Sequence, residues 1–427
     1  MAASLATTGM DATVLRLLDE AADELAADVA ATVRTESVNG DEGAGAAIFA
    51  DWFARNGFDV ETKTVDPAFR DQFPLLANEG NLERRPNVFG WWRAPSPGLP
   101  PLVLNGHYDV VPAGDPSEWP HPPFGGERAG GRIYGRGATD MKGPLVAGMV
   151  ALRALRDAGV KLPFDVQVQC VMGEESGGLG TLAAIASEPR PGAVVVLEPT
   201  EFIVAPGCGG LIQFTISVEG RAIHTANPWR GVSALDKLII LYERLRTLAA
   251  RRNAELSHPL FDQLPMKAPF AVGTFHAGKW RATVPDHAVM EGRIGLLPGE
   301  ERRDLRKLVE DTIADVAASD RWLTAHPPHL HWINEGFPAW ETPVAHPLVQ
   351  SFVAGHQPLG SPAVVSAVTF GTDAAHFAAA GVPALIFGPG SIVDAHQVDE
   401  SIDEADLLRG AKIVALGVLR YAESATA

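Results

Sequence analysis

Three buried-looking strands in this chain each stop at side chains that are costly to bury alone, and this pattern limits the possible folds more than any other feature. Leu102-Val103-Leu104-Asn105-Gly106 ends in His107-Tyr108-Asp109, residues 164–172 end in Gly173-Glu174-Glu175, and residues 193–197 end in Glu198. Short apolar runs set between helical patterns read as strands of an α/β sheet covered on both faces. In such sheets ligands gather outside the carboxyl ends of the strands, where each run places its acid or imidazole. Asp140 arrives on the glycine-rich stretch Tyr134-Gly135-Arg136-Gly137-Ala138-Thr139-Asp140. His396 arrives in Asp394-Ala395-His396-Gln397-Val398-Asp399-Glu400. Side chains i and i+2 of a strand share a face, so the Asp109 carboxylate is expected to accept the second N–H of His107 and orient it.

The chain of 427 residues is too long for one core and points to two or three domains. A net charge of −17, from 35 basic and 52 acidic residues, disfavours a nucleic-acid partner. Two cysteines, Cys170 and Cys208, are too few for a disulfide framework or a thiolate metal site and fit a reducing cytoplasm. No basic-then-apolar leader and no apolar run of about 18 residues is present, so neither export nor a membrane span is expected.

Helical patterns at 12–33, 44–56, 145–158 and 181–187 alternate with strands at 58–62, 87–92, 164–172 and 193–197, and 69–85 is irregular. The texture changes near residue 210. An edge-type strand at 211–218, a helix at 234–252, antiparallel strands at 270–276 and 287–296 and a helix at 300–318 describe an inserted α+β domain. The expected organisation is a first domain over 1–209, an insert over 210–325 and a return to the first domain over 326–427. That last part carries helices at 347–355 and 373–380, a strand at 383–387, the loop Gly388-Pro389-Gly390 and a helix at 404–421.

His107, Asp140, Glu174, Glu175, Glu198 and His396 together offer two imidazoles and four carboxylates, a set suited to zinc, with manganese or cobalt as substitutes. Of two adjacent glutamates after a strand, one can coordinate while the other acts as a base. The order and wording of these segments resemble the M20-type dinuclear metallopeptidases and deacylases, which include acetylornithine deacetylase, succinyl-diaminopimelate desuccinylase, aminoacylase and glutamate carboxypeptidase. The resemblance runs from about residue 85 to the end of the chain. It implies a mixed-sheet, three-layer α/β catalytic domain of zinc-peptidase type with an inserted α+β lid and dimerisation domain. It further implies one metal on His107 and Glu198, another on Glu175 and His396, Asp140 as the bridge and Glu174 as general base, with Asp109 holding His107. His224, in Gly220-Arg221-Ala222-Ile223-His224, resembles the residue that crosses a homodimer to stabilise the oxyanion, and Arg293 with Gly388 and Gly390 resembles the substrate-holding parts. Where many relatives have Asn three residues before the lid-strand proline, this chain has Ala282 before Pro285, and the spacing to Arg293 is short. The implied activity is removal of an acyl group from an N-acylated amino acid or similar small amine by water activated between two metals. A dipeptidase or carboxypeptidase on the same site is the alternative, and a non-catalytic paralogue a further one.

Other motifs compete less well. Gly178-Leu179-Gly180-Thr181-Leu182-Ala183 imitates a dinucleotide fingerprint, but Glu174 and Glu175 would crowd a pyrophosphate with like charge. A Gly-x-Ser-x-Gly elbow and a His-Glu-x-x-His helix are absent. His326, His329 and His331 fit an exposed strand better than a metal site. The tryptophans read as packing, with Trp119 and Trp280 as possible pocket walls.

Overall fold

The structure is a computed structural model and describes residues 9–73, 81–333 and 337–426, so part of the irregular 69–85 stretch lies outside the described residues. It divides into two compact units. The first runs to Gly207 and resumes over Glu341–Ser366 and Thr372–Ala427, and the second is Cys208–Trp340 with Ala367–Gly371.

The first unit is built on a six-stranded sheet of β1 (Asp59–Thr64), β2 (Pro86–Trp92), β3 (Leu102–His107), β4 (Val166–Val171), β5 (Ala193–Val196) and β6 (Ala384–Ile386). The spatial order is β1-β2-β4-β3-β5-β6. The β1–β2 and β2–β4 pairs are antiparallel, whereas β4, β3, β5 and β6 run parallel. β3, β4 and β5 are buried at every position under helices on both faces; β5 is apolar throughout, whereas the buried amides of Asn105, Gln167 and Gln169 hydrogen-bond to one another and to Glu188. The chain leaves β3 for β4 on one side and returns to β5 on the other. The chain order therefore switches direction between β3 and β5, and in sheets of this kind ligands bind outside the strands' carboxyl ends at that point. Leu104, Val166, Val168 and Val195 share one core with Leu145, Val146 and Met149 of helix Gly143–Asp157 and Ile413 and Val414 of helix Glu404–Ala425. Truncating one such leucine to alanine costs about 2–5 kcal/mol. The single helix expected over 12–33 is two, Gly9–Glu20 and Ala22–Arg34, each turning its own stripe (Val14 and Leu18, then Leu25, Val29 and Val33) into the core.

The second unit pairs four antiparallel strands in the order Phe270–Ala277, His287–Leu296, Gly210–Glu219, His329–Trp332. Ile212, Phe214, Ile216 and Val218 alternate inward onto Leu238, Leu241 and Leu245 of helix Ala234–Glu255 and onto Leu305 and Val309 of helix Arg302–Ser319. Gly210–Glu219, expected at an edge, is interior, because His329–Trp332 pairs along it from Phe214 to Ser217. For the same reason this unit continues past residue 325, where a return to the first domain was expected. His329 and His331 lie on the exposed side of that strand, and His326 stacks on Trp322 with ring centroids 3.9 Å apart. No helix among the described residues is long and apolar enough to cross a membrane.

Candidate metal centre

Five segments at the carboxyl edge of the sheet converge on one point. β3 ends in His107, and the loop after β4 carries Glu174 and Glu175. Glu198 directly follows β5, and the segment after β6 carries His396. Asp140 joins them from the turn that precedes helix Gly143–Asp157, where Gly137 supplies a left-handed residue (φ 83°). The Asp140 carboxylate faces both imidazoles. Its Oδ1 lies 3.1 Å from His107 Nε2 and its Oδ2 3.3 Å from His396 Nε2. His396 Nε2 is also 3.0 Å from Glu175 Oε1, and His107 Nε2 is 4.0 Å from Glu198 Oε1. Two donor groups result, His107–Asp140–Glu198 and Asp140–Glu175–His396, each with its atoms within 4.8 Å of one another and sharing Asp140. Glu174 belongs to neither, and its Oε2 sits 4.0 Å from His107 Nε2.

The surroundings correct one expectation. The partner of His107 Nδ1 is the backbone carbonyl of Asp109 at 2.9 Å, while the Asp109 carboxylate stands 3.7 Å away. A carbonyl acceptor at Nδ1 fixes that nitrogen as the N–H and aims Nε2, which meets Asp140, into the centre as the candidate ligand atom. The buried Asp109 carboxylate instead accepts the backbone N–H of Glu174 and of Glu175, each at 3.2 Å, and the Asn39 side-chain amide at 2.9 Å. It thus positions the two glutamates rather than the imidazole. Gly388 and Gly390, expected to hold substrate, are also packing positions. A Cβ on Gly388 would meet the Glu198 carbonyl oxygen at 2.5 Å, and one on Gly390 (φ 87°) would meet Thr139 Oγ1 at 2.3 Å. Gly388 and Gly390 accept the N–H of Thr200 and Glu201 respectively, so this loop packs against the segments carrying Glu198 and Asp140. Trp119 is likewise buried by packing, with Nε1 donating to the Ala113 carbonyl and the Arg136 guanidinium 5.2 Å from its ring.

Residues 103–420 match the model of peptidase family M20/M25/M40. The chain belongs to that family. It is 31% identical over 330 residues to N-formyl-4-amino-5-aminomethyl-2-methylpyrimidine deformylase of Halalkalibacterium halodurans, across 73% of this chain and 77% of the relative. Human carnosine dipeptidase 1 shares the fold with a TM-score of 0.76 at 18% identity, over 98% of this chain and 100% of the other. So does a Bacillus subtilis protein described as a dinuclear metal binding peptidase from the M20 family, with a TM-score of 0.63 at 14% identity over 94% and 98%. The protein is therefore an M20-family hydrolase of the amidohydrolase and peptidase kind.

Its centre suits the family's two cations on chemical grounds. Asp109, Asp140, Glu174, Glu175 and Glu198 crowd two imidazoles in a largely buried space. Burial, followed by neighbouring like charge, pushes Glu174 and Glu198 well above the usual carboxylate range, and burial raises Glu175. Burial acts on Asp140 in the same sense, but hydrogen bonds from His107 and His396 hold it below its ordinary value. Asp140 and then Glu175 push His396 up to about 10. A cluster this acidic needs positive charge inside it, and its mixed nitrogen and oxygen donors fit borderline divalent ions.

The remaining candidates of this M20 chain lie in the second unit. His224 is exposed, and its Nδ1 accepts the Ala226 N–H at 3.1 Å, which leaves Nε2–H as a donor. Ala282 accepts the Thr225 N–H through its carbonyl at 3.1 Å, so the segment bearing His224 is tied to the departure from the family pattern by backbone alone. Arg293 is half-buried and donates to the Thr369 carbonyl at 2.8 Å. Trp280 is 60% exposed and, with Thr225, Lys279 and Arg281, lines a cavity of about 830 Å³. Sequence reasoning assigned no role to Asn39, Arg136 or Glu400, although Glu400 stands in the same acidic stretch as His396.

Proposed function

We propose that this protein removes a small acyl group from a primary amine, by attack of water at a centre holding two divalent ions. The observation that carries the reading is the position of Asp140, one carboxylate oxygen toward each imidazole, with Glu174 beside the cluster and outside both donor groups. His107, Asp140 and Glu198 would hold one ion and Asp140, Glu175 and His396 the other, zinc being our assignment, with cobalt or manganese as substitutes. When bound, such a pair polarises the acyl carbonyl and makes a water acidic near neutral pH. Glu174 takes the proton of the attacking water at a carboxylate oxygen and delivers it to the departing nitrogen. Burial, which keeps its affinity for a proton high, suits both halves of that exchange.

We assign a homodimer through the second unit, in which His224 of the partner subunit would donate Nε2–H to the oxyanion, a contact worth about 3 kcal/mol in comparable sites. What supports it is the exposed Ile239 and Ile240 on helix Ala234–Glu255 and the outer edge of strand Phe270–Ala277, an unpaired row of backbone groups among the described residues. On the strength of its two cysteines, we place the protein in the cytoplasm.

The deformylase name of the curated relative favours a formyl or similarly small acyl group on an aminomethyl heterocycle. The half-buried Arg293 favours a second reading, an N-acylated amino acid whose carboxylate the guanidinium receives. A panel of N-formyl and N-acetyl derivatives of aminomethylpyrimidines, ornithine and glutamate, with dipeptides alongside, tests both. Chelator-sensitive amine release is expected from the acyl amines. Dipeptide turnover more than tenfold above every acyl amine overturns the deacylase assignment in favour of a dipeptidase.

A further inference from the structure

The strongest unassigned arrangement is a clamp between the two segments that carry Asp140 and His396. Glu400 is 1% exposed and its carboxylate is fully engaged by the other segment. Oε1 accepts the backbone N–H of Thr139 at 3.0 Å and of Asp140 at 3.1 Å, and Oε2 accepts Arg136 Nη1 at 2.6 Å. The Glu400 carbonyl accepts the Gly135 N–H at 2.8 Å. A second tie lies one residue earlier. Asp399 Oδ1 is 2.8 Å from His121 Nδ1, and the His121 ring stacks on Tyr134 with centroids 3.8 Å apart. Beyond the clamp, Ser401–Asp403 pairs with Arg132–Tyr134 as a short antiparallel ladder.

The span these ties enclose needs them. His396 (φ 59°) and Asp399 (φ 65°) both sit in the left-handed region without being glycine, a conformation that persists only where surroundings over-determine it. The His396 side chain is itself half-exposed and meets only Asp140 and Glu175 among the centre's groups. Its hydrogen bonds run to the centre's own carboxylates, so the hold on its backbone comes from the ties at Asp399 and Glu400.

We infer that Glu400 is a positioning residue for the second metal position: by bonding the Asp140 backbone from the His396 segment, it sets the separation between the bridging carboxylate and the imidazole. The inference rests on the two-ion reading proposed above. The His107–Asp140–Glu198 group takes neither of its other donors from the Glu400 segment, so loss of the clamp acts on the His396 position first. An outer residue of this kind changes metal affinity by about 10–100-fold.

The test is a Co²⁺ titration of the full-length, metal-stripped protein, followed by calorimetry and visible absorption, for wild type, Glu400→Ala, Glu400→Gln and Arg136→Met. Wild type is expected to take up two equivalents. Glu400→Ala should bind one with affinity within about threefold of wild type and the second about 10–100-fold more weakly, with a changed absorption band for that step. Glu400→Gln keeps a carbonyl oxygen for the two backbone N–H groups and should recover most of the second-site affinity. Arg136→Met leaves Glu400 in place and should fall between the two, so the inference is testable even if Glu400→Ala does not fold. Equal weakening of both equivalents, failure of Glu400→Gln to recover more than Glu400→Ala, or two wild-type affinities in folded Glu400→Ala overturns the role of Glu400 while the two-ion centre stands. A wild-type protein that binds no cobalt overturns the centre and this inference together.

Discussion

Glu174 and Glu175 are adjacent in sequence and divide at the level of atoms. Glu175 Oε1 meets His396, whereas Glu174 faces His107 at 4.0 Å and joins neither donor group. Replacing Glu174 with Gln should therefore leave two-ion uptake and melting temperature intact and lower kcat by about 10²–10⁴-fold. Steady-state kinetics beside metal analysis check this, and loss of metal in the variant would make Glu174 a ligand instead. Asp109 predicts a different failure. Its carboxylate receives both glutamate N–H groups, so Asp109→Ala should weaken metal binding by about 10–100-fold and reduce turnover only through that loss. Saturating zinc should restore most of its activity, as an equilibrium titration of rate against free metal would reveal. The Asp109 carboxylate and carbonyl belong to one residue, and spacing along a strand does not distinguish which of them meets His107. That is why the sequence identified the residue correctly and its contact incorrectly.

At the scale of elements, what was legible was what repeats. Burial is imprinted as apolar runs in β3 and β5 and as apolar alternation with buried glutamines in β4, and the carboxyl ends of parallel strands meet on one edge, so the six central groups could be collected from the sequence. The interior place of Gly210–Glu219 was not legible, because it depends on His329–Trp332, a four-residue strand over 100 positions away. Nor was the work of Gly388 and Gly390. Their glycines answer to Glu198 and Thr139, contacts that no local period encodes. Gly390→Ala combines a left-handed φ with a 2.3 Å approach and should destabilise the fold by about 1–3 kcal/mol, read from urea unfolding. A stability within 0.5 kcal/mol of wild type, roughly the scale of ordinary surface changes, would show that the loop yields.

For the whole molecule, two properties should respond to single changes. In the homodimer proposed here, Ile240→Asp on the exposed side of helix Ala234–Glu255 should yield a monomer in sedimentation velocity, with the metal content of the first unit unchanged. The second property is acid sensitivity. His356 is 1% exposed, stands edge-on to Phe387 with ring centroids 5.9 Å apart, and burial together with Arg409 lowers it to about 4. Its folded value lies below its unfolded value near 6.5, so unfolding takes up a proton between those limits. Stability should therefore fall as pH drops from about 6.5 to 4, by up to about 3 kcal/mol from this group. His356→Leu should flatten that part of the curve, and an unchanged slope in pH-dependent denaturation would exonerate the residue.

The centre draws His107 and His396 from opposite ends of a long stretch of chain, with the whole second unit between Glu198 and His396. Contacts of such sequence separation form late, after the loops between them have closed. A cation can therefore lock this molecule once its tertiary structure is complete, yet has no preformed cage to template the early collapse. Holo and apo chains should refold at the same initial rate and part company only in how slowly they come undone.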